Sequence, residues 1–152
     1  MSDIPFSPVL LDRLQVVLET MPAVAAMQIR ITGYDHDALR IQAPLAANVN
    51  DKGNAFGGSL ASVMTLAGWA LVTLRLQLAG FDAEVYVADS NIRYRAPVYE
   101  DLLATASVAP EQDWDAFVTT FARRGRARIG VQTRLAGGGA ELSGRFVALA
   151  KG

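Results

Sequence analysis

The chain has no cysteine in its 152 residues, which excludes a disulfide framework, a thiol nucleophile and a cysteine-based metal centre. Its single histidine, His36, stands in the turn-like stretch Gly33-Tyr34-Asp35-His36-Asp37. A lone exposed histidine without clustered carboxylates offers no ligand set, so no metal site is expected. Charge is scarce as well: charged residues make up 19% of the chain and the formal net charge is −1. The surplus of Lys and Arg that a general nucleic-acid binder needs is therefore missing. Met1 to Pro8 carries Asp3 and two prolines rather than a basic segment followed by an apolar one, so no secretory leader is expected and a cytoplasmic location follows. Long apolar runs are absent too. The richest region, Phe56 to Ala79, is broken by Ser59, Ser62, Thr65, Thr73, Arg75 and Gln77, and its longest stretch without a polar side chain is Leu66 to Val72. A spanning helix wants about 20 predominantly apolar residues. The region reads as the buried helix of a soluble protein, with no membrane partner.

What the chain does have is apolar material, 51% of its residues, enough for one core in a single domain over 1–152. Ser7-Pro8 followed by Val9, Leu10, Leu14, Val17 and Leu18 predicts a capped amphipathic helix ended by Met21-Pro22. Met27, Ile29 and Ile31 alternate with polar residues, and so do Leu39, Ile41 and Ala43, which predicts a hairpin around the His36 turn. Leu45 to Asn54 loses periodicity and gains Asn48, Asn50, Asp51, Lys52 and Gly53, the composition of a loop. Gly57-Gly58 opens a helix that runs to about Ala79 and stops at Gly80. Its apolar residues cover nearly its whole circumference, so it must be wrapped by other structure. Beyond it the pattern predicts only strands: Val85 to Tyr94, Leu102 to Val108, Asp115 to Arg123 (with Phe117, Thr119 and Phe121 on one face), Ala127 to Leu135 and Leu142 to Leu149. Short Gly-containing turns between them imply an antiparallel meander. One all-round apolar helix and one sheet have an obvious packing solution, in which the sheet curls around the helix. This is the hot-dog architecture, of class α+β: an antiparallel sheet of about five to seven strands around one long central helix, plus a short N-terminal helix. A leftover sheet edge makes a homodimer, or a dimer of dimers, the default expectation.

Chemistry concentrates in Asn48-Val49-Asn50-Asp51-Lys52-Gly53-Asn54-Ala55-Phe56-Gly57-Gly58-Ser59-Leu60. Two glycines at the start of a buried helix leave its first N–H groups unshielded, where the helix carries partial positive charge. A thioester carbonyl placed there would meet donors aimed at the charge developing on its oxygen. Asn50 can add an amide donor or position a water. The same residues would equally serve close helix packing and loop hydrogen bonding.

The segment Asn50-x-x-Gly53-x-x-x-Gly57-Gly58 before a long apolar helix is similar to the active-site segment of hot-dog thioesterases. More narrowly, Pro44-Leu45-Ala46-x-Asn48-x-Asn50, Phe56-Gly57-Gly58-Ser59-Leu60, Leu66-Ala67-Gly68-Trp69 and Ala88-Asp89-Ser90-x-Ile92-Arg93-Tyr94-x-Ala96-Pro97-Val98 resemble one family across nearly the whole chain. It is the thioesterase-like domain sometimes fused behind an acetyltransferase domain, whose members are also described as malonyl-acyl-carrier-protein decarboxylases. This chain would be its stand-alone form. The resemblance implies Asn50 as the catalytic residue and the Gly57 and Gly58 amides as oxyanion donors. It implies a substrate lining of Asn48, Phe56, Ser59 and Thr65, with Asp89 and Ser90 from the next strand.

Two departures bear on the reaction. Many hot-dog hydrolases have His before the Gly-Gly pair, where this chain has Phe56, and many carry Asp or Glu inside the helix, where it has Thr65. Hydrolysis needs water or a nucleophile activated by such a base. Decarboxylation of a malonyl thioester needs only stabilisation of the enolate oxygen, which amides supply. Asp51 keeps hydrolysis open, as a carboxylate beside Asn50. The missing helix carboxylate also leaves room for a non-catalytic acyl-thioester binding module. Asp89 falls in strand register with Val85 and Val87, which predicts partial burial. Arg123, Arg124, Arg126 and Arg128 cluster at a predicted hairpin turn, suited to the phosphates of coenzyme A or to an acidic acyl carrier protein. No cofactor is expected beyond the coenzyme A or phosphopantetheine that forms part of the substrate.

Overall fold

The structure, a computed structural model, describes residues Pro5–Gly152. The leader-peptide reading of the first residues lies outside the described residues for Met1 to Ile4. Helix α1 (Pro8–Glu19) starts as its composition demands, with Pro8 in the first turn and the Ser7 hydroxyl accepting from the Val9 amide at 3.3 Å. Pro22 does not end the helical region. It opens a second short helix, α2 (Pro22–Met27), closed by Gln28 in the left-handed region at φ 56°. The first strand therefore begins later than the alternation of Met27, Ile29 and Ile31 suggests: β1 (Arg30–Asp35) turns into β2 (Ala38–Ala43) through His36 and Asp37, both at positive φ.

A turn of 3-10 helix at Leu45–Ala47 leads into the loop, and the central helix α3 spans Gly57–Leu78. It is followed by β3 (Ala83–Tyr94), β4 (Leu102–Val108), helix α4 (Trp114–Arg124), β5 (Arg126–Leu135) and β6 (Ala140–Ala150). Helix α4 corrects the strand expected over Asp115 to Arg123. Phe117 and Phe121, two steps apart in a strand pattern, are also four apart, and Trp114 extends them along a helical face. Asp113 decides the matter locally, its carboxylate accepting from the Asp115 amide at 3.1 Å as an N-cap. The expected hairpin turn at Arg123 to Arg128 is instead the junction of α4 with β5, made at Gly125 (φ 68°).

The six strands form one antiparallel sheet in the order β1-β2-β4-β5-β6-β3. The meander expectation fails at β3, which crosses to the far edge and, among the described residues, pairs only with β6, while β4 pairs with β2 and β5. The sheet curls around α3. Leu60, Val63, Met64, Ala67, Leu71 and Leu74 are all but fully buried against the inward residues of the strands, among them Ile41, Ala104, Ile129, Leu142 and Phe146. Each such large apolar side chain contributes about 1.5–3 kcal/mol. The closest approach is at Gly68, where a Cβ would stand 2.6 Å from the Phe146 ring. One buried polar group crosses this interface and is satisfied: the Thr133 hydroxyl donates to the Met64 carbonyl at 3.1 Å.

The two edges of the sheet differ. Along β1, the Gln15 side chain of α1 takes the part of a neighbouring strand: its Nε2 donates to the Ile29 carbonyl at 2.9 Å and its Oε1 accepts from the Ile31 amide at 2.7 Å. Strand β3 has no such cover among the described residues, and Tyr86, Val87 and Tyr94 on it are exposed. Replacing Gln15 by Leu removes both bonds from a half-buried edge. A loss of about 1–3 kcal/mol is expected, read as a lower urea midpoint at unchanged slope.

Candidate functional site

The loop before α3 is a closed unit. Val49 bridges to Ala55, the Asn50 amide donates to the Asn54 carbonyl at 2.7 Å, and the Phe56 amide donates to the Asn48 carbonyl at 2.8 Å. Asn50 organises it. Its Oδ1 accepts from the Lys52 amide at 2.8 Å and the Asn54 amide at 3.2 Å, and its Nδ2 donates to Asn54 Oδ1 at 2.9 Å. One Nδ2 hydrogen remains. Asn48 is 3% exposed, and its Nδ2 donates to the carbonyls of Met27 (3.0 Å) and Pro44 (2.8 Å). It ties the loop to α2 and to the end of β2, and its Oδ1 is buried without a partner among the described residues.

The loop delivers the chain to an uncapped helix end. Phe56 at the N-cap position has no side-chain bond to offer, and the amides of Gly57, Gly58 and Ser59 have no acceptor among the described residues; the first helical bond is from Leu60 to Phe56. The flanks are aromatic. The Phe56 side chain, 55% exposed, lies over Gly58, where a Cβ would stand 2.4 Å from its ring. On the other side Tyr94, from the end of β3, donates its hydroxyl to the Gly57 carbonyl at 3.2 Å. Tyr94 is the residue that sequence reasoning passed over. Its signal is the inward alternation of Ile92 and Tyr94, which is clear only once the register of β3 is known.

Asn48 is bonded to Phe56, which leads into Gly57, Gly58 and the buried Ser59 at the start of α3, while Asn50 lies two pairs further out in the loop, opposite Asn54. Thr65 lies further along on a half-exposed stripe that includes Ser62, Leu66 and Trp69. Asp51 points outward, its carboxylate in an ion pair with Lys52 at 3.0 Å. Helix α3 contains no Asp, Glu or His.

The remaining residues lie elsewhere. A bulge at Ala88 shifts the β3–β6 register, so Val87 faces Phe146 on the inner side while Asp89 pairs with Arg145 on the outer side. The expected burial of Asp89 is corrected accordingly: it is exposed, on the face away from α3, with Arg145 Nε at 3.1 Å from both its oxygens and Nη2 in close contact. Ser90 returns to the inner side opposite Gly144 and stays exposed. Arg123, Arg124 and Arg126 are exposed at the far end of the sheet, since Arg126 is level with Leu149 and Leu149 with Glu84, whereas Tyr94 marks the Gly57 end. Ten residues of strand separate those ends, about 33 Å.

The family described as "Putative thioesterase (yiiD_Cterm)" matches residues 11–150. Among solved structures, a putative thioesterase from Shewanella oneidensis is 30% identical with a TM-score of 0.84, over 94% of this chain and 99% of that one. A protein of unknown function from Chlorobaculum tepidum is 29% identical with a TM-score of 0.86, over 92% and 94%. A Pseudomonas aeruginosa protein described as a probable thioesterase shares the fold at 22% identity and a TM-score of 0.76, over 99% and 100%.

The Asp89 contact carries its own pH signature. Hydrogen bonding to Arg145, with Arg128 adding charge nearby, holds the Asp89 carboxyl below the ordinary aspartate range. A depressed carboxyl contributes stability above the unfolded-state pKa and loses it as pH falls through the folded one. A carboxyl-carbon NMR titration should find Asp89 ionised into the acid range and Arg145→Gln returning it to an ordinary value. An ordinary Asp89 pKa in the unsubstituted protein would show that the pair does not hold in solution.

Proposed function

The chain belongs to the hot-dog thioesterase family it matches over residues 11–150, and on that premise we propose that it decarboxylates malonyl thioesters of acyl carrier protein or coenzyme A, supplying acetyl primers for fatty-acid synthesis. The observation that carries this reading is the pairing of three unclaimed amides at Gly57, Gly58 and Ser59 with a helix that holds no Asp, Glu or His. The thioester carbonyl oxygen takes hydrogen bonds from the Gly57 and Gly58 amides and from the remaining Nδ2 hydrogen of Asn50. The bond from C2 to the carboxylate breaks, carbon dioxide leaves, and its electron pair forms the enolate whose oxygen these donors hold. A proton from water at C2 then gives the acetyl thioester. No basic side chain is needed to start, and Asn50, locked by three hydrogen bonds in its loop, presents its donor without reorganisation.

Thioester hydrolysis is the second reading, favoured by the descriptions of the family and of the similar proteins. It would draw on a water held by Asn50, because Asp51 points outward in its ion pair with Lys52. Malonyl-carrier and malonyl-coenzyme A should yield the acetyl thioester; release of free thiol and malonate would instead establish hydrolysis, and saturable binding without turnover a non-catalytic module. Asn50→Asp keeps the acceptor for Lys52 and Asn54, and the Asn54 amide can flip to donate to it, so the loop survives. Decarboxylation should fall by about 10²–10³-fold, the effect of one oxyanion donor, at an unchanged melting temperature.

The site gains a second wall if two copies pair through β3, and the homodimer belongs to this proposal. The guarded β1 edge and the open β3 edge support it, as does the half-exposed stripe of α3 at Leu66 and Trp69. Antiparallel pairing would set the Arg123–Arg126 end of one protomer beside the Gly57 end of its partner, within reach of a phosphopantetheine arm. The bulge makes one register self-complementary: Glu84 before it and Arg93 after it share the outer face, so each can oppose the other across the two-fold. Glu84→Arg should weaken the dimer in analytical ultracentrifugation, and adding Arg93→Glu should restore it. A double variant no better than the single would reject this register.

A further inference from the structure

The outer face of the sheet carries a cleft that the chemistry at α3 does not use. It has a volume of about 380 Å³, within the range of small-molecule sites. Arg128, Gln132, Ser143 and Arg145 form its floor with Asp89, and residues 109–112 form a wall. Two backbone devices build it. Gly130 faces outward in mid-strand and lets the wall lie down on the sheet: a Cβ there would be 3.3 Å from Gln112 Cγ and 3.4 Å from Ala109 Cβ. The wall is then tethered, the Ala109 amide to the Gly130 carbonyl at 3.0 Å and the Gly130 amide to Gln112 Oε1 at 3.1 Å. The bulge at Ala88 supplies the other device by turning Asp89 outward, where it braces Arg145.

The lining is rich in donors. Arg145 spends Nε and Nη2 on Asp89 and keeps Nη1, while Arg128 has no ion-pair or hydrogen-bond partner among the described residues. Gln112 has committed its oxygen to Gly130, which leaves its amide hydrogens free, and Gln132 and Ser143 add more. The one carboxylate not already paired is Glu111, on the wall. A planar guanidinium pair with neutral donors beside it matches phosphoryl oxygens, and a carboxylate opposite matches hydroxyl groups.

We propose that this outer cleft binds a small hydroxyl-bearing phosphomonoester, its phosphoryl oxygens on Arg128 and Arg145 Nη1 and its hydroxyls on Glu111. The site lies on the opposite face of the sheet from the Gly57 end of α3, so it stands or falls separately from the thioester reading. Titration calorimetry on the full chain tests it with adenosine 5′-monophosphate, inorganic phosphate and adenosine. The nucleotide should bind, phosphate more weakly, and adenosine not at all. Arg128→Gln should weaken the nucleotide by at least about tenfold, one charge-assisted bond's worth, with little change in melting temperature, because Arg128 makes no hydrogen bond or ion pair among the described residues and acts on Asp89 only through its charge. Asn50→Asp should leave the affinity as it was. No heat from the nucleotide, equal affinity in Arg128→Gln, binding of adenosine as strong as that of its phosphate, or binding of inorganic phosphate alone would each overturn the proposal.

Discussion

The structure depends on burying most of the surface of one long apolar helix. An apolar helix of this kind cannot lie on a surface, so the sheet curls until β2 and β3 pack along α3 together with the strands between them, and the closest part of that wrap is Gly68 against Phe146. Enclosure sets the terms for function. A helix buried along its length can offer chemistry only at an end or along a seam the sheet leaves open, and α3 has both: an uncapped amino end at Gly57 and a half-exposed stripe through Leu66 and Trp69.

The amino end is held open by hydrogen bonding that goes elsewhere. Asn48 and Asn50 are the residue types that cap helices, yet each is spent upstream, Asn48 on the ends of α2 and β2 and Asn50 on its own loop. Phe56 occupies the capping position with no acceptor, and Gly57 and Gly58 add no bulk. The sheet edges show the same division of labour. Gln15 satisfies two backbone groups at the start of β1 from within the chain, whereas β3, the strand whose end also carries Tyr94 to the helix terminus, has no such cover among the described residues. Site and open edge are neighbours for that reason.

Much of this was legible in one sequence. The apolar circumference of α3, the alternation in β2, β5 and β6, and the Gly57-Gly58 opening follow from local spacing, and they led to the architecture and to the loop at Asn50. Of the readings that failed, three show the physical reasons most clearly. The Phe117–Phe121 spacing fits both periods, and the Asp113 cap tips it to helix. The meander failed because pairing partners are chosen by the whole sheet and not by adjacency in the chain. Asp89 was misplaced because a single extra residue at Ala88 reverses which face every later side chain of β3 occupies.

By itself, the sequence determined the elements that depend on periodicity and on the backbone freedom of particular residues: one enclosed helix, a sheet to enclose it, and a bare helix start. Tertiary structure alone decided what depends on register and crossing. It set Tyr94 on Gly57, sent Asp89 and Arg145 to the outer face, carried Arg123 to Arg126 to the far end of the sheet, and left β3 as the open edge. The physical reason is range. Helix and strand patterns are written over a few residues, whereas a bulge or a crossover moves side chains between faces by an amount that only the pairing of distant strands makes visible.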